Sequence, residues 1–166
     1  MFIAYRVVSR LYFHLSVLYV IFAVHGEGPT AIGAILAAYG VAIVIAGPVS
    51  AAVIARIGAD RALIAGEVIK AAGLVILALD PGLLPLALAG QVVNGIGFGI
   101  GQAADPLVLT KMCAGDSVTI GRIAASAQSK MFLATLVAGV SGALLFRIDS
   151  VVPLWAAAAA SLAAAV

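Results

Sequence analysis

The sequence predicts an all-α membrane protein: a single bundle of six transmembrane helices with its N-terminus in the cytoplasm. Three observations carry this expectation. Of the 166 residues, 64% are hydrophobic and only 10% are charged, against about 45–50% and roughly 25% in ordinary globular domains. The apolar residues come in six runs divided by short polar punctuation. The basic residues then gather at alternate ends of those runs. A chain of this length cannot hide so much apolar surface inside itself, so lipid must solvate it.

The first run is expected to span from 7 to 24. Arg6 and Arg10 precede it as a secretory leader's cations would, but no small-x-small cleavage site follows. The chain continues as His25-Gly26-Glu27-Gly28-Pro29, so the run is expected to stay as the first span, with its flanking charges snorkelling to the interface. The second span, 31–54, has 24 residues, long enough for a hydrocarbon core of about 30 Å at ~1.5 Å rise per residue. A turn at Arg56-Ile57-Gly58-Ala59-Asp60-Arg61 is too short for an intervening domain, and Gly58 can take the positive φ that ends a helix. The third span, 62–79, therefore returns antiparallel to the second.

Asp80-Pro81-Gly82 marks the next turn, followed by a fourth span at 83–104. The longest connection runs from Asp105 to about Arg122. Two further spans are expected at 123–146 and 151–166, the last of them short and Ala-rich. With the N-terminus inside, Arg6, Arg10, Arg56, Arg61, Lys111, Arg122 and Lys130 are cytoplasmic, and Arg147 stands alone outside. This bias sets the orientation.

The hairpin Gly47–Gly66, GPVSAAVIARIGADRALIAG, resembles the loop between the second and third helices of the major facilitator superfamily. That pattern runs Gly-x-Leu-Ala-Asp-Arg-x-Gly-Arg-Arg/Lys. Arg56 and Gly58 match it; Ala51 and Ala55 replace the first Gly and the Asp; Ala59 and Asp60 replace the two basic residues, and Arg61 restores one. The phrases Gly101-Gln102-Ala103-Ala104-Asp105-Pro106-Leu107 and Gly121-Arg122-Ile123-Ala124-Ala125-Ser126 resemble the same superfamily around its fourth and fifth helices. An echo between Ala51–Ile57 and Gly142–Ile148 fits the inverted three-plus-three repeat of each six-helix half. The resemblance implies residues 1–166 form one domain, the N-terminal half of a secondary carrier. It implies a transporter in the cell (inner) membrane, with proton-coupled efflux of a small molecule. A second six-helix half, or a second copy, would then complete the cavity. The alternative is an orphan or truncated membrane fragment acting as a non-transporting assembly partner. By the same resemblance, Arg56, Gly58, Asp60 and Arg61 form a gating loop. Asp105, at the end of the fourth helix, pairs with Arg56 or Arg61.

The remaining candidates come from the residues themselves. Glu67 and Lys70 are three apart and share a helix face. They read either as a coupling or substrate-binding acid with its partner, or as a structural ion pair near the cytoplasmic interface. Gln91 and Asn94 are likewise on one face, where amides either bond between helices or line a wet cavity. His14 is a proton-coupling residue or a hydrogen-bonded packing residue. Gly95, Gly97, Gly99 and Gly101 alternate without dinucleotide-loop spacing and are paired at i, i+4, the pattern of close helix contacts; Gly139 and Gly142 form a similar small face.

Cys113 is the sole cysteine, so no internal disulfide is expected, nor a zinc site or any other metal site. No catalytic motif is present, and no enzyme activity or cofactor is expected. No basic cluster points to nucleic acid, and the expected partners are the lipid bilayer, a small solute and the second half.

Overall fold

The computed structural model describes residues 2–166, and their regular structure is entirely helical. The order is α1 (Phe2–Val8), α2 (Leu18–Val24), α3 (Pro29–Ile57), α4 (Ala59–Leu79), α5 (Leu84–Met112), α6 (Ser117–Phe146) and α7 (Val152–Ala164). The four helices α3 to α6, of 29, 21, 29 and 30 residues, are long and apolar enough to cross a membrane. The chain is thus an all-α, multi-pass membrane protein with four candidate spans, where the sequence reading expected six.

Both departures have physical causes. The expected span 7–24 is two seven-residue helices separated by a non-helical stretch. That stretch carries Ser9, Arg10, Tyr12, His14 and Ser16, and its backbone finds partners outside its own segment. Lys70 Nζ donates to the Ser9 carbonyl at 2.9 Å, and Thr135 Oγ1 donates to the Arg10 carbonyl at 3.3 Å. Irregular backbone at membrane depth is tolerated only when neighbours satisfy it in this way. Ser16 Oγ in turn donates to the Gly139 carbonyl at 2.8 Å. The expected span 151–166 is a helix of 13 residues, about 20 Å at ~1.5 Å per residue and short of a ~30 Å core.

The long helices extend beyond their apolar runs, and of α3 to α6 only α6 starts at a side-chain cap. Pro29 sits in the first turn of α3, where its missing N–H is no loss. Gly58 alone joins α3 to α4, at φ 82°. The expected long connection 105–122 is mostly helix: α5 continues through Pro106 to Met112, and only residues 113–116 turn. Asp116 caps α6, accepting from the backbone N–H of Val118 at 3.2 Å and Thr119 at 3.3 Å. The Thr119 hydroxyl and these backbone donors hold its carboxyl below the ordinary carboxylate range.

Glycines set the central packing. A Cβ at Gly66 would meet the backbone N of Gly101 at 2.7 Å and the carbonyl of Gly97 at 2.8 Å. One at Gly73 would overlap the backbone of Asn94, and one at Gly97 the backbone N of Lys70. Helices α4 and α5 therefore touch main chain to main chain. On its other side, α5 meets α3, where a Cβ on Gly95 would lie 2.7 Å from the Tyr39 carbonyl and one on Gly99 2.6 Å from Ala46 Cβ. Gly101 differs: its nearest neighbour would be Glu67 Oε1 at 3.9 Å. Helix α6 lies at the edge, burying only Ala127, Ala138 and Gly142. Gly142 faces the break, where any Cβ would collide with the Phe13 carbonyl.

Two apolar clusters fill the ends of the bundle. One joins α2 to Ile32, Ile35, Leu74, Leu77 and Leu154. The other joins Phe2 to Ala62, Leu63, Ile100, Ala104, Val108 and Leu109. Along α4 and α5, Glu67, Lys70, Gln91 and Asn94 lie between them.

Candidate functional site

The break in the N-terminal segment forms one wall of a cavity of about 370 Å³. Arg10, Tyr12 and His14 come from the break, Tyr39 from α3, Lys70 from α4, Gln91, Asn94 and Phe98 from α5, and Ser161 from α7. The geometry follows from the packing. Main-chain contact between α4 and α5 leaves no room for side chains between them, so their polar residues point to the same side. The break supplies the facing wall, because a continuous helix would carry those side chains elsewhere.

Charges are buried here in pairs. Glu67 Oε2 lies 2.5 Å from Lys70 Nζ, with the two residues only 5% and 4% exposed. Tyr5 donates its hydroxyl to Glu67 Oε1 at 3.1 Å. Lys70 therefore ties together the acid, the Ser9 carbonyl and the cavity wall, while Glu67 reaches the cavity only through Lys70. Since α4 begins at Ala59, the pair sits near the middle of the helix, not near its start as the sequence suggested. A lone charge at such a depth costs from ~2.5 to more than 10 kcal/mol, which accounts for the pairing.

Asp105 makes a second pair, at 2.6 Å from Arg6. This corrects two expectations. Asp105 lies inside α5, not at its end, and its partner comes from α1, not from Arg56 or Arg61. Arg56 and Arg61 are exposed; Asp60 of the same turn pairs with Lys111 across the ends of α4 and α5. The turn Arg56–Arg61 and Asp105 are therefore not joined by an ion pair among the described residues.

Arg10 is the residue that the sequence reading misplaced. Treated there as an interfacial flank, it stands in the cavity wall, with its guanidinium 4.7 Å from the centre of the Phe98 ring and 5.8 Å from that of Tyr12. It donates to the Tyr12 hydroxyl. Tyr39 and Phe98 complete an aromatic side, with ring centroids 6.0 Å apart. The available signal was the cluster Arg10, Tyr12 and His14 within five residues, too polar for a lipid-facing helix.

The expected candidates His14, Lys70, Gln91 and Asn94 thus meet at one cavity. Gln91 and Asn94 are 2% and 5% exposed, enclosed by this chain's own helices. Of the two expected settings for these amides, an interhelical bond or a cavity wall, the structure places them in the cavity wall. Chemically, the cavity offers a cation, amide donors and acceptors, hydroxyls and aromatic faces in an otherwise apolar bundle, which suits binding of a small polar solute. No protein-family model matches this chain and no curated protein matches it, so its function has to be argued from this chemistry.

Proposed function

We propose that this chain is a solute-binding unit of a membrane transporter: the N-terminal half of a secondary carrier of the major facilitator type, in the cell membrane with its N-terminus inside. The observation that supports the reading is the cavity at the broken segment 9–17. Interrupted helices beside a buried polar site are how secondary carriers build binding sites near the bilayer midplane. Lys70, bonded to both Glu67 and the Ser9 carbonyl, links an ionisable pair to the break, an arrangement that suits coupling of solute binding to protons. The Arg56–Arg61 turn is the candidate inner gate. Leu15 and Leu36 line the cavity and are exposed, and they form the apolar rim that a second half, or a second copy, would cover.

The alternative, a non-transporting assembly partner, draws on the exposed face of α6, with Phe132, Leu133, Leu136, Val137 and Val140. Lipid alone suffices to cover that face, so the carrier reading is preferred. The test is reconstitution into liposomes holding a trapped pH dye, with a panel of acidic, basic and neutral small solutes added outside. Solute-dependent proton movement that is lost in Glu67→Gln supports the carrier. A folded, oriented chain that moves no solute and no protons, alone or with a co-expressed second half, overturns it.

A further inference from the structure

The charges around the cavity do not balance. Arg6 is matched by Asp105 and Lys70 by Glu67; the third ion pair, Asp60 with Lys111, is at the exposed end. Arg10 belongs to none of them. Among the described residues its hydrogen-bond acceptor is the neutral Tyr12 hydroxyl, and its side chain lines the cavity. His14, on the same wall and buried, leaves Nδ1 without a hydrogen-bond partner among the described residues. The cavity therefore carries one cation in excess together with an unused hydrogen-bonding atom.

We infer that the cavity binds a small soluble organic anion, its charged end on Arg10 and its body against Tyr39 and Phe98. The guanidinium offers paired donors in the plane that a carboxylate accepts. The aromatic side of the cavity contributes flat apolar contact next to that charge. Gln91 and Asn94 add neutral donors that hold an oxygen without a counter-charge. A basic solute would meet an uncompensated cation and is disfavoured. This inference deepens the carrier reading by naming a solute class, and it rests on the same cavity.

The experiment measures equilibrium binding of radiolabelled benzoate to the full chain in neutral detergent, with competitors added. The expected result is saturable binding of one benzoate per chain, displaced by 2-naphthoate. The isosteric amide benzamide and the cation benzylamine should not displace it at equal concentration. Arg10→Gln should weaken binding by roughly 10–100-fold, the value of a charge-assisted hydrogen bond, and Arg10→Lys should weaken it less. Absence of saturable benzoate binding overturns the inference, as does equal displacement by benzamide or benzylamine. If Arg10→Gln does not fold, the benzoate–benzamide comparison on the unaltered chain decides. Saturable binding of phosphatidylglycerol with none of benzoate would assign Arg10 to a lipid headgroup and also overturn it. Because binding needs no flux, benzoate binding without proton-linked movement in liposomes would keep the anion site and remove the carrier.

Discussion

Two glycines four residues apart on α5 give a sharp test of the packing. At Gly97 an added Cβ would overlap the backbone N of Lys70, with the Gly66 carbonyl at 2.6 Å and the Ile69 carbonyl carbon at 2.9 Å. All three are main-chain atoms that can yield only if α4 and α5 separate. At Gly101 the same Cβ would meet nothing closer than Glu67 Oε1, at 3.9 Å. Both substitutions gain the same helix propensity, roughly 0.5–1 kcal/mol for Gly to Ala. That gain cancels in the comparison and leaves the overpacking cost, about 1–3 kcal/mol. Gly97→Ala is therefore expected to be less stable than Gly101→Ala by about 1–3 kcal/mol, and Gly101→Ala to be at or above the unaltered chain. Unfolding in mixed micelles titrated with SDS, followed by circular dichroism, measures both. Equal stability of the two variants would refute main-chain contact between α4 and α5.

Three further outcomes are expected. Lys70→Met should destabilise by about 3–5 kcal/mol by stranding Glu67, while Lys70→Met with Glu67→Gln should recover much of that loss; a double variant no better than the single would mean the pair is not the source of the cost. Cysteines replacing Gly28 and Asp80, in a Cys113→Ser background, should be labelled from outside by an impermeant reagent, and one replacing Gly115 should not. Labelling at Gly115 in intact cells inverts the orientation. At the start of α6, the depressed carboxyl of Asp116 stabilises the folded state above the ordinary carboxylate pKa of about 3.9. That contribution disappears as pH falls through the lower folded value, so the protection of the Val118 and Thr119 amides relative to their intrinsic exchange rates should fall there, and Asp116→Ala should remove that fall.

The long helices were legible because length and apolarity alone define a span. Runs 31–54, 62–79 and 123–146 lie within α3, α4 and α6, and 83–104 lies within α5 but for its first residue. Their ends were less legible, since Asp116 and the polar residues of 105–112 read as loop although the first caps a helix and the others continue one. The break at 9–17 was hidden for a different reason. Its apolar neighbours carry the run past the polar cluster Arg10, Tyr12 and His14, and what holds the break open lies far along the chain: Lys70 and Thr135 bond its carbonyls, and Gly142 admits Phe13. Spacing along one helix revealed Glu67 with Lys70 and Gln91 with Asn94, because a shared face is a local property. The pairing of Arg6 with Asp105, and the place of Arg10 beside Phe98, depend on how the break folds back. Gly73 went unremarked because an isolated glycine in an apolar run shows its purpose only against a partner helix.

A polar cavity within an otherwise apolar bundle, open at the rim of Leu15 and Leu36, is the central feature of the proposed carrier, and cysteine accessibility probes it. In a Cys113→Ser background, Tyr39→Cys places a thiol in the cavity wall, while Val44→Cys places one on the exposed outer face of the same helix. A small, charged, water-borne methanethiosulfonate attacks only the thiolate, which needs water to form. In lipid vesicles, Tyr39→Cys is expected to react and Val44→Cys is not. Reaction at Val44→Cys with none at Tyr39→Cys, or silence at both, would contradict this expectation.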